Sequence, residues 1–186
     1  MASATTARAT LDDLYRVEGK AELIGGRIVH YKASGDLPTD VAFEIAISLR
    51  GYVKLVKRGV AKGDGISYAV PELPSGRESF SPDASYYDGP RPVNRMNFIE
   101  GAPKFAAEVR SENDYGPAAE VEMAAKRADY FQAGTLVVWD VDPLAERIDV
   151  YRNTNPTQPQ SFHRGEIADA EPAVPGWRVN VDDLFT

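Results

Sequence analysis

The stretch Phe105-Ala106-Ala107-Glu108-Val109-Arg110 predicts a buried strand that carries one acid within an apolar run. A second acid, Asp83 in Ser81-Pro82-Asp83, is the only charged residue of the strand-like segment from Phe80 to Tyr87. A carboxylate in a half-buried sheet costs free energy unless a ligand or a partner compensates it. Asp83 and Glu108 are therefore the first candidate site residues.

A β-hairpin is predicted upstream of these acids. The β-prone runs 21–24 and 27–31 flank Gly25-Gly26, and two glycines between such runs are typical of a tight hairpin turn. Ile66 to Val70 alternates like a further short strand.

Two long helices are predicted. The first runs over 40–57, with Thr39 as its N-cap and apolar residues at helical spacing. The second runs over 117–133, because Pro117 fits a first turn and Gly134 fits the end of a helix.

The last third of the chain predicts more of the sheet. Leu136 to Val141 is predicted as a buried strand and Arg147 to Tyr151 as the final strand, whereas Asn153 to Gln160 is predicted as a polar loop. This order of elements predicts an α/β fold in which helices flank a mixed central sheet.

Length and composition predict one domain. With 186 residues, 43% of them hydrophobic, the chain can bury a substantial core, and we expect a single domain over 10–186. The small, polar segment 1–9 is predicted to be disordered. The chain has no cysteine, which excludes disulfides and thiolate metal sites. His30 and His163 lack the spacing of metal ligands, so a metal would need oxygen ligands.

Net charge and hydropathy limit the kinds of partner that the chain can bind. A net charge of -7 argues against nucleic-acid binding over the whole surface but leaves a local basic groove open. No stretch approaches the roughly 20 apolar residues of a membrane span, and the N-terminus lacks the apolar core of a secretory signal. We expect a soluble, cytoplasmic protein without a membrane partner.

Several short motifs follow one another in a fixed order. They are Glu22-Leu23-Ile24 with Gly26, Pro82-Asp83, Gly101-Ala102-Pro103, Glu108-Val109 with Ser111, Lys126 with Tyr130, and Val138 to Pro143. In this order and spacing the chain resembles the Uma-two family of putative restriction endonucleases, members of the PD-(D/E)xK nuclease superfamily. The resemblance spans nearly the whole ordered chain and implies a restriction-endonuclease-like fold.

The resemblance also implies a site. Asp83 and Glu108 would ligate a divalent cation, with the backbone carbonyl of Val109 as a further ligand; such oxygen ligands select Mg²⁺ or Mn²⁺. The superfamily usually carries its lysine two residues after the strand glutamate, where this chain has Arg110. The resembled family often moves it to the next helix, which implies Lys126. Its role would be to position the attacking water or to stabilise a phosphoryl oxygen.

Two accessory residues are implied less directly. Glu22 matches a family acid and could extend the metal site, although two usually acidic positions just after it are a glycine and an arginine here. Arg110 could contact phosphate, but it cannot act as a base. A longer stretch than usual, 112–116, precedes the lysine helix, and Asp114 within it is unassigned, with helix capping as one role.

Each candidate also has a purely structural interpretation. Asp83 would be a strand-end residue held by arginine or backbone donors, and Glu108 an acid in a buried ion pair. Lys126 would be a solvated helix residue paired with Glu122 one turn earlier. Glu22 would be an exposed charge of the hairpin.

The leading functional prediction is a metal-dependent endonuclease that hydrolyses DNA through Asp83, Glu108 and Lys126. Its expected partners are DNA, a divalent metal and a second copy of the chain, since a two-fold homodimer presents two sites to two strands. The alternative is a catalytically inactive binding or assembly module with a nuclease fold. A weaker alternative is a small-molecule hydrolase that uses the same acids.

Overall fold

The computed structural model describes residues 8–185. The predicted disorder of 1–9 therefore falls mostly outside the described residues; within them, the Ala9 amide donates to the Gly26 carbonyl at 2.8 Å. The helices are α1 (Leu11–Leu14), α2 (Asp36–Val56) and α3 (Pro117–Gln132). The strands are β1 (Ala21–Ile24), β2 (Arg27–His30), β3 (Val60–Gly63), β4 (Tyr68–Ala69), β5 (Ser79–Phe80), β6 (Ala84–Tyr87), β7 (Ile99–Glu100), β8 (Phe105–Val109), β9 (Val137–Asp142), β10 (Arg147–Arg152), β11 (Asn155–His163), β12 (Ile167–Asp169) and β13 (Arg178–Asn180).

The centre of the fold is a mixed six-stranded sheet in the spatial order β11-β10-β9-β8-β6-β3. Strands β8 and β9 are parallel, and the other neighbours are antiparallel. The crossover between the parallel pair is α3, as parallel strands require a long connection. The predicted mixed α/β fold is confirmed, and so is the N-terminal hairpin, which β1 and β2 form.

The first long helix begins one turn earlier than predicted. Gly35, not Thr39, is the N-cap of α2, and the Thr39 hydroxyl donates to the Gly35 carbonyl at 2.7 Å from inside the helix. Pro38 is tolerated there because the first turn does not need its missing N–H. The second helix is close to its prediction, with Pro117 in the first turn and Gly134 just beyond the end at φ +104°.

Two of the predicted strands are shorter or broken. Phe80 to Tyr87 is not one strand, because the chain leaves β5 at Ser81-Pro82-Asp83 and enters the central sheet as β6. The proline in this connection has no N–H for a sheet ladder. The strand predicted over 66–70 is reduced to β4, which joins β5 and β7 in a separate small sheet.

The predicted loop from Asn153 to Gln160 is wrong beyond its first two residues: Asn153 and Thr154 form a turn, whereas Asn155 to Gln160 belong to β11, the edge strand of the central sheet. Its side chains are almost all exposed, so it lacks the apolar alternation on which the sequence prediction relied. Pro156 and Pro159 fit an edge strand, where one row of backbone donors faces solvent.

The two faces of the sheet are covered by different elements. Phe105, Ala107 and Val109 pack in the core between the sheet, α2 and the C-terminal segment, where Trp139 and Trp177 stack at 5.0 Å between ring centroids. Ala106 faces the other core, which contains Tyr130 of α3. Alternation along β8 therefore turns Glu108 toward α3.

No helix within residues 8–185 is long and apolar enough to cross a membrane.

Candidate functional site

Two neighbouring strands bring Asp83 and Glu108 together. Ala84 of β6 pairs with Ala107 of β8 in antiparallel register, so the next pair of positions along this ladder is Asp83 opposite Glu108. The Asp83 amide donates to the Ala107 carbonyl at 3.1 Å, and the Val109 amide donates to Asp83 Oδ2 at 2.8 Å. The break at Pro82 thus sets one acid at the start of β6, beside the end of β8.

Glu108 is held by two side chains of α3. Lys126 Nζ donates to Oε2 at 2.8 Å, and the Tyr130 hydroxyl donates to Oε1 at 2.6 Å. Lys126 and Tyr130 are four residues apart, so they lie on the same face of the helix. The alternative pairing of Lys126 with Glu122 is absent from the ion pairs of residues 8–185, where Lys126 contacts Glu108 and Glu22 instead.

Glu22 is fully buried rather than exposed on the hairpin. Its Oε1 accepts from the Ser81 amide at 2.9 Å and lies 3.1 Å from Lys126 Nζ in an ion pair. Its Oε2 accepts from the Tyr31 hydroxyl at 2.7 Å and from the Arg77 guanidinium. Three hydrogen bonds and the ion pair with Lys126 compensate the buried carboxylate, as burial of a charge requires.

The pKa of Glu22 reflects this balance. Burial acts to raise it, but the charges of Lys126 and Arg77 and the hydrogen bonds to the carboxylate lower the pKa to about 2. Glu22 is therefore an anion at neutral pH, and it pairs with Lys126 together with Glu108.

The pKa of Glu108 is shifted in the other direction. Burial raises it, Lys126 opposes the effect, and the negative charge of Asp83 adds to it. The pKa of Lys126 is raised, because its two acidic partners outweigh the cost of its burial. Lys126 therefore stays protonated at neutral pH and offers a fixed positive charge.

Arg77 and Asp129 connect Glu22 to α3. Arg77 lies in the loop before β5, and its Nε donates to Asp129 on α3 at 2.8 Å while its terminal nitrogen donates to Glu22. Its guanidinium also lies 5.1 Å from the centre of the Phe80 ring. These contacts tie the hairpin, the loop and α3 together around Glu22.

Lys20 is a member of the site that the sequence analysis did not identify. Its Nζ donates to Asp83 Oδ1 and lies 2.9 Å from Asp64 Oδ1. Lys20 stands two positions before Glu22 at the start of the hairpin, and residues two apart in an extended chain share a face. That spacing was the one available signal; Arg77, in an irregular loop, had none.

Arg110 is engaged elsewhere. Its guanidinium binds Asp140 of β9 through two bonds, at 2.8 and 2.9 Å, and also binds Glu120 of α3. Asp114 accepts from the Ser111 amide at 2.7 Å and does not cap α3, whose N-cap is Gly116.

A small cleft of about 120 Å³ opens beside Asp83. It is bounded mainly by apolar atoms of α2 and of the end of β3. Its lining residues are Ser34, Pro38, Thr39, Ala42, Phe43, Ala46, Gly63, Asp64, Asp83 and Val109.

The oxygen ligands available at this site meet only part of what a hard cation requires. Asp83 and Glu108 supply carboxylate oxygens, and Mg²⁺ commonly uses one or two carboxylates together with water and substrate phosphate. Within residues 8–185, no group of three or more His, Cys, Asp or Glu side chains is arranged to hold a metal. A cation here would therefore depend on these two acids together with backbone, water or substrate oxygens.

The fold of this chain has a counterpart among solved structures. It is similar to the crystal structure of a putative nuclease belonging to DUF820 from Anabaena variabilis ATCC 29413, with 21% identity and a TM-score of 0.74 over 95% of this chain and 97% of that one. A family model, Uma2, described as putative restriction endonuclease, matches residues 9–182. The chain therefore belongs to the Uma2 family. No curated protein matches it.

Proposed function

We propose that this protein is a metal-dependent endonuclease that hydrolyses phosphodiester bonds of DNA. The observation that carries the proposal is the convergence of Asp83, Glu108 and Lys126 at the junction of β6, β8 and α3. Membership of the Uma2 family and the shared nuclease fold support it.

Asp83 and Glu108 would hold the cation, and the Val109 carbonyl would be a further oxygen ligand. Their hard oxygens favour Mg²⁺ or Mn²⁺ over metals that prefer sulfur. When bound, such a cation lowers the pKa of a water molecule and neutralises charge on the scissile phosphate. Its binding would also offset the repulsion between the two neighbouring carboxylates.

Lys126 supplies positive charge rather than base catalysis. Its raised pKa keeps the ammonium group protonated, so it can donate to a phosphoryl oxygen or orient a water but cannot accept a proton. Glu22 is the positioning residue for Lys126, and Tyr130 is the positioning residue for Glu108. Glu22 orients the ammonium group of Lys126, and Tyr130 orients the carboxylate of Glu108.

Lys20 would have to move from Asp83 when a cation binds. In the structure its ammonium group donates a hydrogen bond to Oδ1 of Asp83, which is one of the oxygens that a cation requires. Asp64 lies 2.9 Å from the same ammonium group and would retain it. Lys20 thus neutralises Asp83 in the absence of metal and remains nearby as a cation for phosphate.

Nicking of supercoiled plasmid DNA tests the proposal. The wild-type protein should nick DNA with Mg²⁺ or Mn²⁺ and not with EDTA. Asp83→Asn and Glu108→Gln should each lose at least about a hundredfold in rate, because each removes one ligand charge while preserving shape. Lys126→Met should lose a similar factor, since one fixed donor to the transition state is worth about that much.

Glu122→Gln is the matched control, because it removes one acid from an exposed position of the same helix that carries Lys126. It should nick at the wild-type rate. Equal nicking by the wild type, Asp83→Asn and Glu108→Gln would rule out the proposed site. Cleavage of a small phosphodiester without cleavage of DNA would instead indicate a small-molecule hydrolase.

A second candidate function is a non-catalytic binding module. The observation that favours it is that all four carboxylate oxygens of Asp83 and Glu108 already accept hydrogen bonds from the protein. Calorimetric titration with Mn²⁺ separates the two functions. Binding that disappears in Asp83→Asn supports the nuclease, whereas no binding by the wild type supports the module.

A further inference from the structure

The outer face of α2 has an unusual distribution of side chains. Opposite its buried stripe, Phe43 is 61% exposed and Ile47 is 48% exposed, one turn apart. Two acids lie toward the start of the helix, Asp40 before Phe43 and Glu44 between Phe43 and Ile47, and two bases, Arg50 and Lys54, lie after Ile47. The face is therefore apolar at its centre, negative at one end and positive at the other.

The helix dipole does not account for this charge distribution. Its effect is confined to the first and last turns, whereas Glu44 and Arg50 lie well inside the 21-residue helix. Asp40 and Glu44 are like charges four residues apart, which destabilises an isolated helix. None of these four charged residues forms an ion pair within the described part of the chain.

Gly51 is a second, independent observation on the same face. A glycine inside a helix costs about 1 kcal/mol relative to alanine. Nothing lies within 4 Å of a Cβ built at Gly51, so packing within this chain does not require the glycine. A glycine on an exposed helix face permits another helix to approach closely.

We infer that the outer face of α2 binds the same face of a second copy of this chain, as an antiparallel helix pair with its two-fold axis at Ile47. The register follows from the spacing of the residues around Ile47. Asp40 and Lys54 are each seven positions from it, and Phe43 and Gly51 are each four positions from it. Rotation about the axis therefore sets each acid of one copy opposite a base of the other.

The pairing satisfies every feature of the face. Ile47 contacts the equivalent isoleucine of the second copy, and the Phe43 ring covers the space beside Gly51 of that copy. Asp40 meets Lys54, and two-fold symmetry makes each contact twice. Because Phe43 also lines the cleft beside Asp83, the partner helix would border that cleft. The inference does not depend on the proposed nuclease activity.

Single-cysteine variants test the register directly, since the natural chain has no cysteine. Ile47→Cys places two thiols at the axis, within reach of a disulfide, and should give a covalent dimer under mild oxidation. Leu55→Cys is the control on the same helix, because its two copies would be about 24 Å apart at 1.5 Å per residue. Val121→Cys is the control on α3. Both controls are exposed positions and should stay monomeric on a non-reducing gel.

Charge reversal tests the partner contacts by analytical ultracentrifugation over a wide range of protein concentration. Asp40→Lys and Lys54→Asp should each raise the dimer Kd by about tenfold or more, because each creates two like-charge contacts. The double variant restores opposite charges and should return to within about threefold of the wild type. A wild type that stays monomeric at all concentrations, equal cross-linking by all three cysteine variants, or no recovery in the double variant would overturn the inference.

Discussion

Two polar clusters lie between α3 and the central sheet, and they hold their acids in different ways. The lysine cluster consists of Glu22, Asp83 and Glu108 with Lys20 and Lys126. The arginine cluster is centred on Asp140 of β9, the strand next to β8, and consists of Asp140 and Glu120 with Arg110 and Arg127. Both join α3 to neighbouring strands, so the difference lies in the cations and in the exposure of the acids.

The arginine cluster is closed. Asp140 is 2% exposed and receives three guanidinium hydrogen bonds, two from Arg110 and one from Arg127. Arg127 in turn lies 4.2 Å from the centre of the Tyr151 ring. Planar guanidinium groups bound in this way leave no oxygen of Asp140 accessible to a ligand.

The lysine cluster is partly open. The Glu108 side chain is 20% exposed, and the Asp83 side chain borders a cleft. Its cations are ammonium groups on flexible stems, which can leave an oxygen without disturbing a planar stack. The comparison indicates that the arginine cluster stabilises the fold, while the acids of the lysine cluster can exchange their partners.

The largest effect is expected from breaking the arginine cluster. Asp140→Ala leaves two buried guanidinium groups without their shared acid and should lower the free energy of unfolding by about 3–5 kcal/mol. Glu120→Ala removes a more exposed partner of the same Arg110 and should cost less than about 1 kcal/mol. Urea denaturation of both variants measures the difference. Similar losses for the two would show that the arginine cluster is not the closed, stabilising one.

The sequence was sufficient for the acids but not for the contacts around them. Asp83 and Glu108 were identifiable because each interrupts an apolar, strand-like segment, which is a local pattern. Arg77 and Asp129 are 52 positions apart, and their contact exists only when the loop before β5 meets α3. No local pattern carries such a pairing, so their place beside Glu22 could not be predicted.

In the central sheet, too, only the strands that a local sequence pattern marks were predicted. The core strands β8 and β9 were predicted because burial imposes apolar residues on them. Strand β11 was missed because it is held by backbone hydrogen bonds to β10 at an exposed edge, where side chains are free to be polar. Helix α2 was predicted from its buried stripe, but its start was misplaced because Gly35 caps it without a side chain.

An intermediate effect is expected from acid titration of the lysine cluster. The pKa of Glu22 is about 2 in the folded protein and near 4.5 when unfolded, so its contribution is complete above pH 4.5 and is lost as pH falls toward 2. The contribution amounts to about 3 kcal/mol. Glu22→Gln should therefore flatten the fall of stability over this range, measured by urea denaturation at successive pH values.

Glu122→Gln provides the comparison, because it removes an exposed acid and should keep the wild-type slope. Glu108 acts in the opposite sense: its raised pKa favours the protonated acid in the folded state, a contribution that is lost as pH rises through the folded pKa. If Glu22→Gln loses stability with the wild-type slope, then Glu22 does not have the strongly depressed pKa that its cationic partners and hydrogen bonds imply.

The smallest effect on stability, and the sharpest on function, is expected from Lys20→Met. Without metal, Asp83 retains the Val109 amide but loses its counter-ion, and the free energy of unfolding should fall by about 1–2 kcal/mol. With Mn²⁺, the cation no longer competes with an ammonium group for Oδ1 of Asp83. We therefore expect calorimetry to show about tenfold tighter Mn²⁺ binding than in the wild type.

Arg110→Met is the corresponding change in the arginine cluster. It should destabilise the protein more than Lys20→Met does, because it uncovers the buried Asp140, yet leave Mn²⁺ affinity unchanged. A larger loss of stability in Arg110→Met, together with tighter Mn²⁺ binding in Lys20→Met alone, would separate the two clusters most clearly. Weaker Mn²⁺ binding in Lys20→Met would mean instead that Lys20 holds Asp83 in place for the cation, so that its ammonium group assists binding rather than competing with it.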